Sequence, residues 1–226
     1  IVAFDACLMG QLEIAYELRH DTQIVVFSEE SIPESGFPYE MFLDDLAKNR
    51  YWLATDLANS MVARYNEAYA PGGIYYSPAF PDTQICLSAV KGNYTAQVAG
   101  ALDNLVQPLR VPATLRESYE SICAARGATQ TFSWPDFLDL GDFALQLHTA
   151  FGSGNLADLS QVLRDAVMSA IDREQHLSGL PGATGLGLAF STHQGIPLEL
   201  LADTSYEEFM RAFESVGNTS ATALPM

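Results

Sequence analysis

Short apolar runs and amphipathic stretches alternate along the first half of the chain. Ile1-Val2-Ala3-Phe4 is continuously apolar and ends in Asp5-Ala6-Cys7, which predicts a buried strand over residues 1–6. A helical pattern near 10–20 follows, then Gln23 to Ser28, whose centre Ile24-Val25-Val26-Phe27 reads as a second buried strand. Ser31 to Pro38 is a Pro/Gly loop. Helices are predicted at about 39–49 and 54–70, the second with Thr55 or Asp56 as its cap and Pro71-Gly72-Gly73 as its breaker. Gln84 to Val90 makes a third strand and Asn93 to Leu109 a helix. Strands and helices in this order predict parallel βαβ units in an α/β layer structure.

From residue 110 to about 180 the β-branched runs thin out, and helices are predicted near 113–126, 135–151 and 156–176. They form a helical subdomain packed on the sheet layer. Leu186 to Ser191 returns as a strand and Tyr206 to Val216 as a helix; Gly217 to Met226 is a small, polar tail expected to fray. The chain thus divides into 1–109, 110–180, 181–216 and 217–226.

At 226 residues, 48% hydrophobic and 17% charged, the chain can bury a sizeable core as one large unit or one plus a subdomain. No apolar run approaches the roughly 20 residues of a membrane helix. With 28 acidic against 11 basic residues the formal charge is −17, which repels polyanions and argues against nucleic-acid binding. It mildly favours cationic partners. Three cysteines do not make a disulfide framework, and no CxxC or His/Cys cluster predicts zinc. Cys86, in a strand-like run, and Cys123, in a helix-like one, read as core residues. The sequons at Asn93 and Asn218 carry no weight without a compartment.

Cys7 differs from the other two. It stands at the carboxyl end of the first strand, before a glycine-containing turn and a helix, at the edge where open α/β sheets place their chemistry. A lone cysteine is more often a small buried hydrophobe. Its neighbours argue otherwise: Asp5-Ala6-Cys7-Leu8-Met9-Gly10, followed by Glu13, Ala15-Tyr16-Glu17-Leu18, Ser28-Glu29-Glu30 and Gly36-Phe37-Pro38-Tyr39, resembles the nucleophile region of the clostripain family. These are cysteine endopeptidases of the caspase, legumain and gingipain group. The resemblance is dense over residues 1 to about 40; Asp139-Leu140-Gly141-Asp142-Phe143 and Gly185-Leu186-Gly187-Leu188-Ala189-Phe190 match later landmarks loosely. It implies a caspase-like α/β fold, a largely parallel sheet sandwiched by helices with a helical C-terminal subdomain. Residues 1–109 would be the C-terminal part of the catalytic core, with the N-terminal strands expected before Ile1.

The resemblance also implies roles. Cys7 is the expected nucleophile. A free thiol is only a few per cent thiolate at neutral pH, so such an enzyme needs a base or a positive field. The start of the following helix would supply part of that field. In the family the base is a histidine in a His-Gly turn upstream of the cysteine, yet His20, His148, His176 and His193 all lie downstream here. His20 reads as a helix cap, His148 and His176 as surface or cap residues, and His193, after a strand, is the one candidate substitute. A histidine on a segment or chain preceding Ile1 is the favoured expectation, because residue 1 falls inside a strand, where natural processing seldom cuts. The oxyanion would be held by the Cys7 backbone N–H and one from the His-Gly turn.

Asp5 is two residues from Cys7, on the same face of an extended strand. A carboxylate beside a nucleophilic thiol disfavours the thiolate, so it needs another task. In the family the matching aspartate lies in the S1 pocket and pairs with a P1 arginine or lysine; the alternative is a structural carboxylate capping the turn at Gly10. Ser28, ending the next strand, is expected to open onto the same edge, and the resemblance implies that it lines the cleft where an extended peptide pairs. The resemblance places Glu29 and Glu30 along the same cleft, whereas the residues alone read as a solvated loop start, and Tyr39 and Trp134 either wall the cleft or join the core. No motif calls for a cofactor: Asp44-Asp45 and Glu29-Glu30 could contact calcium, which some family members use, but no loop has the EF-hand pattern. The expected function is an endopeptidase cutting after Arg or Lys. Alternatives are a catalytically inactive caspase-like binding or regulatory domain, and a thiol acyltransferase or redox sensor using Cys7. Family habit implies secretion or the cell envelope.

Overall fold

Two-residue β1 (Val2–Ala3) and β2 (Ile24–Phe27), joined through α1 (Leu12–Glu17), begin a four-stranded sheet in the computed structural model. The structure describes residues 1–79, 83–192 and 198–222. After β2 come α2 (Tyr39–Lys48), α3 (Ala54–Tyr69), β3 (Cys86–Lys91), α4 (Gly92–Leu109) and α5 (Pro112–Ala128). Next are β4 (Phe137–Asp139), α6 (Leu140–Phe151), α7 (Asn155–Ala170), β5 (Ile171–His176) and β6 (Gly187–Ala189). The described chain ends with α8 (Leu198–Asp203) and α9 (Tyr206–Thr222). Strand order in the main sheet is β1-β2-β3-β5, and β4 pairs with β6 in a separate two-stranded sheet.

The layered α/β arrangement follows the expectation, but the pairing within the sheet is mixed. β1 and β2 are parallel, with Val2 opposite Val25, whereas β2–β3 and β3–β5 are antiparallel. Helix parity explains this. One helix, α1, returns the chain to its starting end and gives a parallel neighbour. The pair α2 and α3, and later the four helices α4 to α7, bring it back to the end it left. The predicted βαβ units therefore hold only for the first crossover.

Alternate side chains of β2 feed opposite cores. Val25 and Phe27 pack with α1, α4 to α7, α8 and α9, while Ile24 and Val26 pack with Phe42 of α2 and with Ala58, Met61, Val62 and Tyr65 of α3. All four β2 residues are buried, each large one worth about 1.5–3 kcal/mol. Helix α4 presents Val98, Leu102, Leu105, Val106 and Leu109 at helical spacing to this core.

Two boundaries differ from the sequence pattern. The helix expected to run to 176 ends at Ala170, and Ile171–His176 is the edge strand β5. Its polar composition hides it, since pairing with β3 and not a period-2 apolar pattern makes it a strand. Likewise Phe137–Asp139 is β4 and not helix, and the strand near 186–191 pairs with β4 outside the main sheet. Helix α9 continues to Thr222, so residues 217–222 are helical; 223–226 lie outside the described residues. Among the described residues no helix is long and apolar enough to cross a membrane.

Candidate active site

Strand β1 is continued by a hydrogen bond from Phe4 N to Val26 O, 2.9 Å, after which the chain leaves the sheet and turns at Cys7. Leu8 has φ +62°, and is the only non-glycine residue with positive φ among the described residues. Holding a leucine there costs about 1–2 kcal/mol, so the surroundings must impose it. They do so through Leu8 N to Glu30 O at 3.2 Å and Gly10 N to Ser28 O at 2.8 Å. The Leu8 side chain also packs against Cys86, Phe132, Leu180 and Ala183. Gly10 permits the close approach: a Cβ there would lie 2.7 Å from Glu29 N and 2.8 Å from Ser28 C.

The turn leaves Cys7 exposed at its tip, with its sulfur accepting from Ile32 N at 3.3 Å and the Ile32 carbonyl 3.7 Å away. The following helix is not the 10–20 element expected. α1 spans only six residues, Leu12–Glu17, and Gln11 gives it no side-chain cap. A helix this short supplies only part of the field expected at Cys7.

Asp5 is exposed on the same edge. Its Oδ2 accepts from Phe37 N at 3.2 Å and from the Tyr39 hydroxyl at 2.9 Å, so it does not cap the turn at Gly10. Gly36, at φ +64°, borders the carboxylate; a Cβ there would come within 2.8 Å of Oδ2 and 3.1 Å of Oδ1. The Tyr39 ring lies 6.1 Å from Phe37 and 5.4 Å from Phe42, and burial together with the Asp5 acceptor raises the phenol above its ordinary range, keeping it a donor. Tyr39 and Trp134 are each 50% exposed, so neither belongs to the core.

Ser28 does not open onto the edge. It is buried, its hydroxyl lying 3.5 Å from Cys86 Sγ and accepting from Glu30 N at 3.1 Å. Both faces of β2 are covered, and the residue that follows inherits that cover. Glu29 and Glu30 are not a solvated loop start either, being 1% and 2% exposed. Glu30 accepts from Ser31 N at 2.6 Å and Ser133 N at 2.9 Å, and from the Ser133 hydroxyl. Glu29 accepts from Gly185 N at 3.1 Å. Of the other carboxylates considered for calcium, Asp44 pairs with Lys48 and Asp45 with Arg64 and Ser60.

Among the described residues no histidine hydrogen-bonds Cys7. His20 precedes β2, whose parallel partner β1 precedes Cys7, so the two lie at opposite ends of the strands. His148 Nδ1 contacts Ala157 O at 2.9 Å, and His176, on the far edge strand, contacts Glu174 at 2.9 Å. His193 lies outside the described residues.

The Peptidase C11 model, describing the clostripain family, matches residues 1–173. The chain belongs to the clostripain family. Its fold is shared with a clostripain from Bacteroides thetaiotaomicron solved with the peptide inhibitor BTN-VLTK-AOMK, at 12% identity and TM-score 0.58, covering 92% of this chain and 86% of that one. A cysteine protease from B. fragilis is similar at 18% identity and TM-score 0.54, with 92% and 85% covered. A secreted C11 cysteine protease from Bacteroides thetaiotaomicron gives 17% identity and TM-score 0.55, with 94% of this chain and 58% of that chain covered. No curated protein matches in sequence. Family and fold are those of a cysteine peptidase.

Behind the exposed edge, this clostripain-family chain buries carboxyl groups that spacing did not reveal. Burial, with the Asp139 charge beside it, pushes Glu29 well above the ordinary carboxyl range, and burial raises Asp139 to about 6. Asp139 caps α6 by accepting from Asp142 N at 2.7 Å and also accepts from the Thr184 hydroxyl at 2.7 Å. Burial raises Glu13 to about 7; it accepts from Ala189 N at 3.0 Å. The signal available in sequence was slight: two adjacent glutamates directly after a buried strand, and an Asp three residues before a second Asp at a helix start.

Proposed function

We propose that this chain carries the nucleophile and basic-residue pocket of a secreted or cell-envelope cysteine endopeptidase that cleaves after arginine or lysine. The observation that carries the reading is the shared exposure of Cys7 and Asp5, two residues apart on one sheet edge, with no hydrogen bond to Asp5 Oδ1 among the described residues. The substrate's cationic side chain pairs with Asp5, placing the next carbonyl carbon at Cys7. The Cys7 thiolate adds to that carbon, and the C–N bond breaks as a histidine, contributed upstream of Ile1, protonates the leaving amine. Water then hydrolyses the thioester and regenerates the thiol. The lysine-terminated peptide VLTK in the inhibitor bound by the Bacteroides thetaiotaomicron clostripain supports a basic P1 residue. Secretion is supported by the secreted relative.

The test uses the full-length protein. A lysine- or arginine-directed acyloxymethyl ketone should label Cys7, located by peptide mass spectrometry. Cys7→Ala should lose both labelling and turnover. Normal turnover by Cys7→Ala would overturn the assignment, and labelling without turnover of any peptide would favour a binding or regulatory domain.

A further inference from the structure

We infer that Tyr39 is a specificity-determining residue that tilts the basic pocket toward lysine over arginine. The inference rests on the proposed role of Asp5 and refines it. Both hydrogen bonds accepted by Asp5 among the described residues fall on one oxygen: Phe37 N at 3.2 Å and the Tyr39 hydroxyl at 2.9 Å both reach Oδ2. A carboxylate oxygen has about two lone-pair sites, so Oδ2 is occupied and Oδ1 is left for substrate.

Neither donor is placed by chance. Phe37 is 3% exposed and its ring packs edge-on to Tyr65 at 5.6 Å, which fixes the amide. Tyr39 is the first residue of α2, with its ring held against Phe37 and Phe42. Gly36 lies against the same carboxylate without a Cβ that would come within 2.8 Å of Oδ2.

The two cationic side chains respond differently to a half-occupied carboxylate. A guanidinium gains most as a fork, donating two parallel N–H bonds to both oxygens. With Oδ2 filled, the fork closes on Oδ1 alone and its second N–H goes unmet after desolvation. An ammonium is a compact point charge that can rotate its donors onto a single oxygen. Tyr39 thus costs arginine a hydrogen bond that lysine never needed. Tyr39 is 50% exposed beside Asp5, so a side chain that pairs with Asp5 can reach it.

The experiment presents full-length protein with two acyloxymethyl ketone probes identical except for lysine or arginine next to the warhead, competing in one tube. The Cys7 adducts are then counted by mass spectrometry. A ratio within one sample is independent of how much protein is folded. Wild type should favour lysine, and Tyr39→Phe, which keeps the ring and removes the donor, should lower the lysine-to-arginine ratio by about tenfold, the worth of one charge-assisted bond. An unchanged ratio in Tyr39→Phe, or a wild type favouring arginine, overturns the inference while leaving a basic pocket intact. Asp5→Asn separates the two: if it reacts with both probes as wild type does, the pocket assignment and the Tyr39 inference fall together.

Discussion

Glu30 and Ser133 meet across 103 residues of sequence, the Glu30 carboxylate accepting from the Ser133 amide at 2.9 Å as well as from its hydroxyl. Because the Glu30 carbonyl also accepts from Leu8 N at 3.2 Å, one residue fastens both the Cys7 turn and the loop carrying Trp134. Glu30→Ala removes three acceptor contacts of a buried carboxylate. It should lower stability by about 2–3 kcal/mol, read from urea unfolding; the carbonyl that accepts from Leu8 N is kept, so the Leu8 turn is disturbed only through the loosened residue 30, lowering peptidase kcat more than it raises KM. An unchanged urea midpoint would mean that the clamp holds nothing the fold needs.

The proposed pairing of Asp5 with a basic P1 side chain makes a prediction about charge. Removing one member of a desolvated charge pair costs about 2–5 kcal/mol. Asp5→Asn should therefore lower kcat/KM for Arg and Lys substrates by roughly 30-fold to several thousandfold, with far less effect when the P1 residue is neutral. Equal losses for basic and neutral substrates would identify Asp5 as a structural carboxylate.

Gly10 is predicted to be intolerant of a single added carbon. Its neighbours at 2.7 and 2.8 Å are backbone atoms of Glu29 and Ser28, which cannot swing aside as a side-chain tip can. Gly10→Ala should cost about 1–3 kcal/mol and reduce labelling at Cys7, because the Gly10 N to Ser28 O bond that shapes the turn would lengthen. Wild-type stability and labelling in the alanine variant would show that the turn can shift without consequence.

The early strands and the Cys7 edge were legible because local signals coincide there. Ile24 to Phe27 is apolar on both faces, as a central strand covered twice must be, and Asp5-Ala6-Cys7 follows a run of the same kind. What stayed hidden depends on partners distant in sequence. β5 reads Ile171-Asp172-Arg173-Glu174-Gln175-His176, a helix-compatible string that is a strand because Ala89 and its neighbours pair with it. Ser28, Glu29 and Glu30 look like the polar start of a surface loop; the approach of the 185 and 133 regions, more than a hundred residues later, buries the glutamates. The direction of β3 followed from counting helices in the crossover, which strand composition does not encode.

Glu13 supplies a pH dependence whose sign follows from its burial. Desolvation raises its carboxyl from 4.5 to about 7, outweighing the lowering effect of the Glu13 and Ala189 backbone amides. In the unfolded chain the group would titrate near 4.5, so between there and about 7 the folded state holds a proton that the unfolded state has released. The contribution to stability is therefore fully present below 4.5 and is lost as pH rises through about 7. At about 1.36 kcal/mol per pH unit the loss is of the order of 3 kcal/mol. Asp139, raised to about 6, and Glu29, raised well above the ordinary carboxyl range, move the same way, so wild type alone would mix their contributions with that of Glu13. Glu13→Gln separates them, since the amide mimics the neutral carboxyl and its oxygen can still accept from Ala189 N. Urea unfolding at a series of pH values should show the variant gaining about 3 kcal/mol relative to wild type from acid to alkaline conditions. A constant difference across that range would mean that Glu13 is charged in the fold, with its burial compensated by a group not yet recognised.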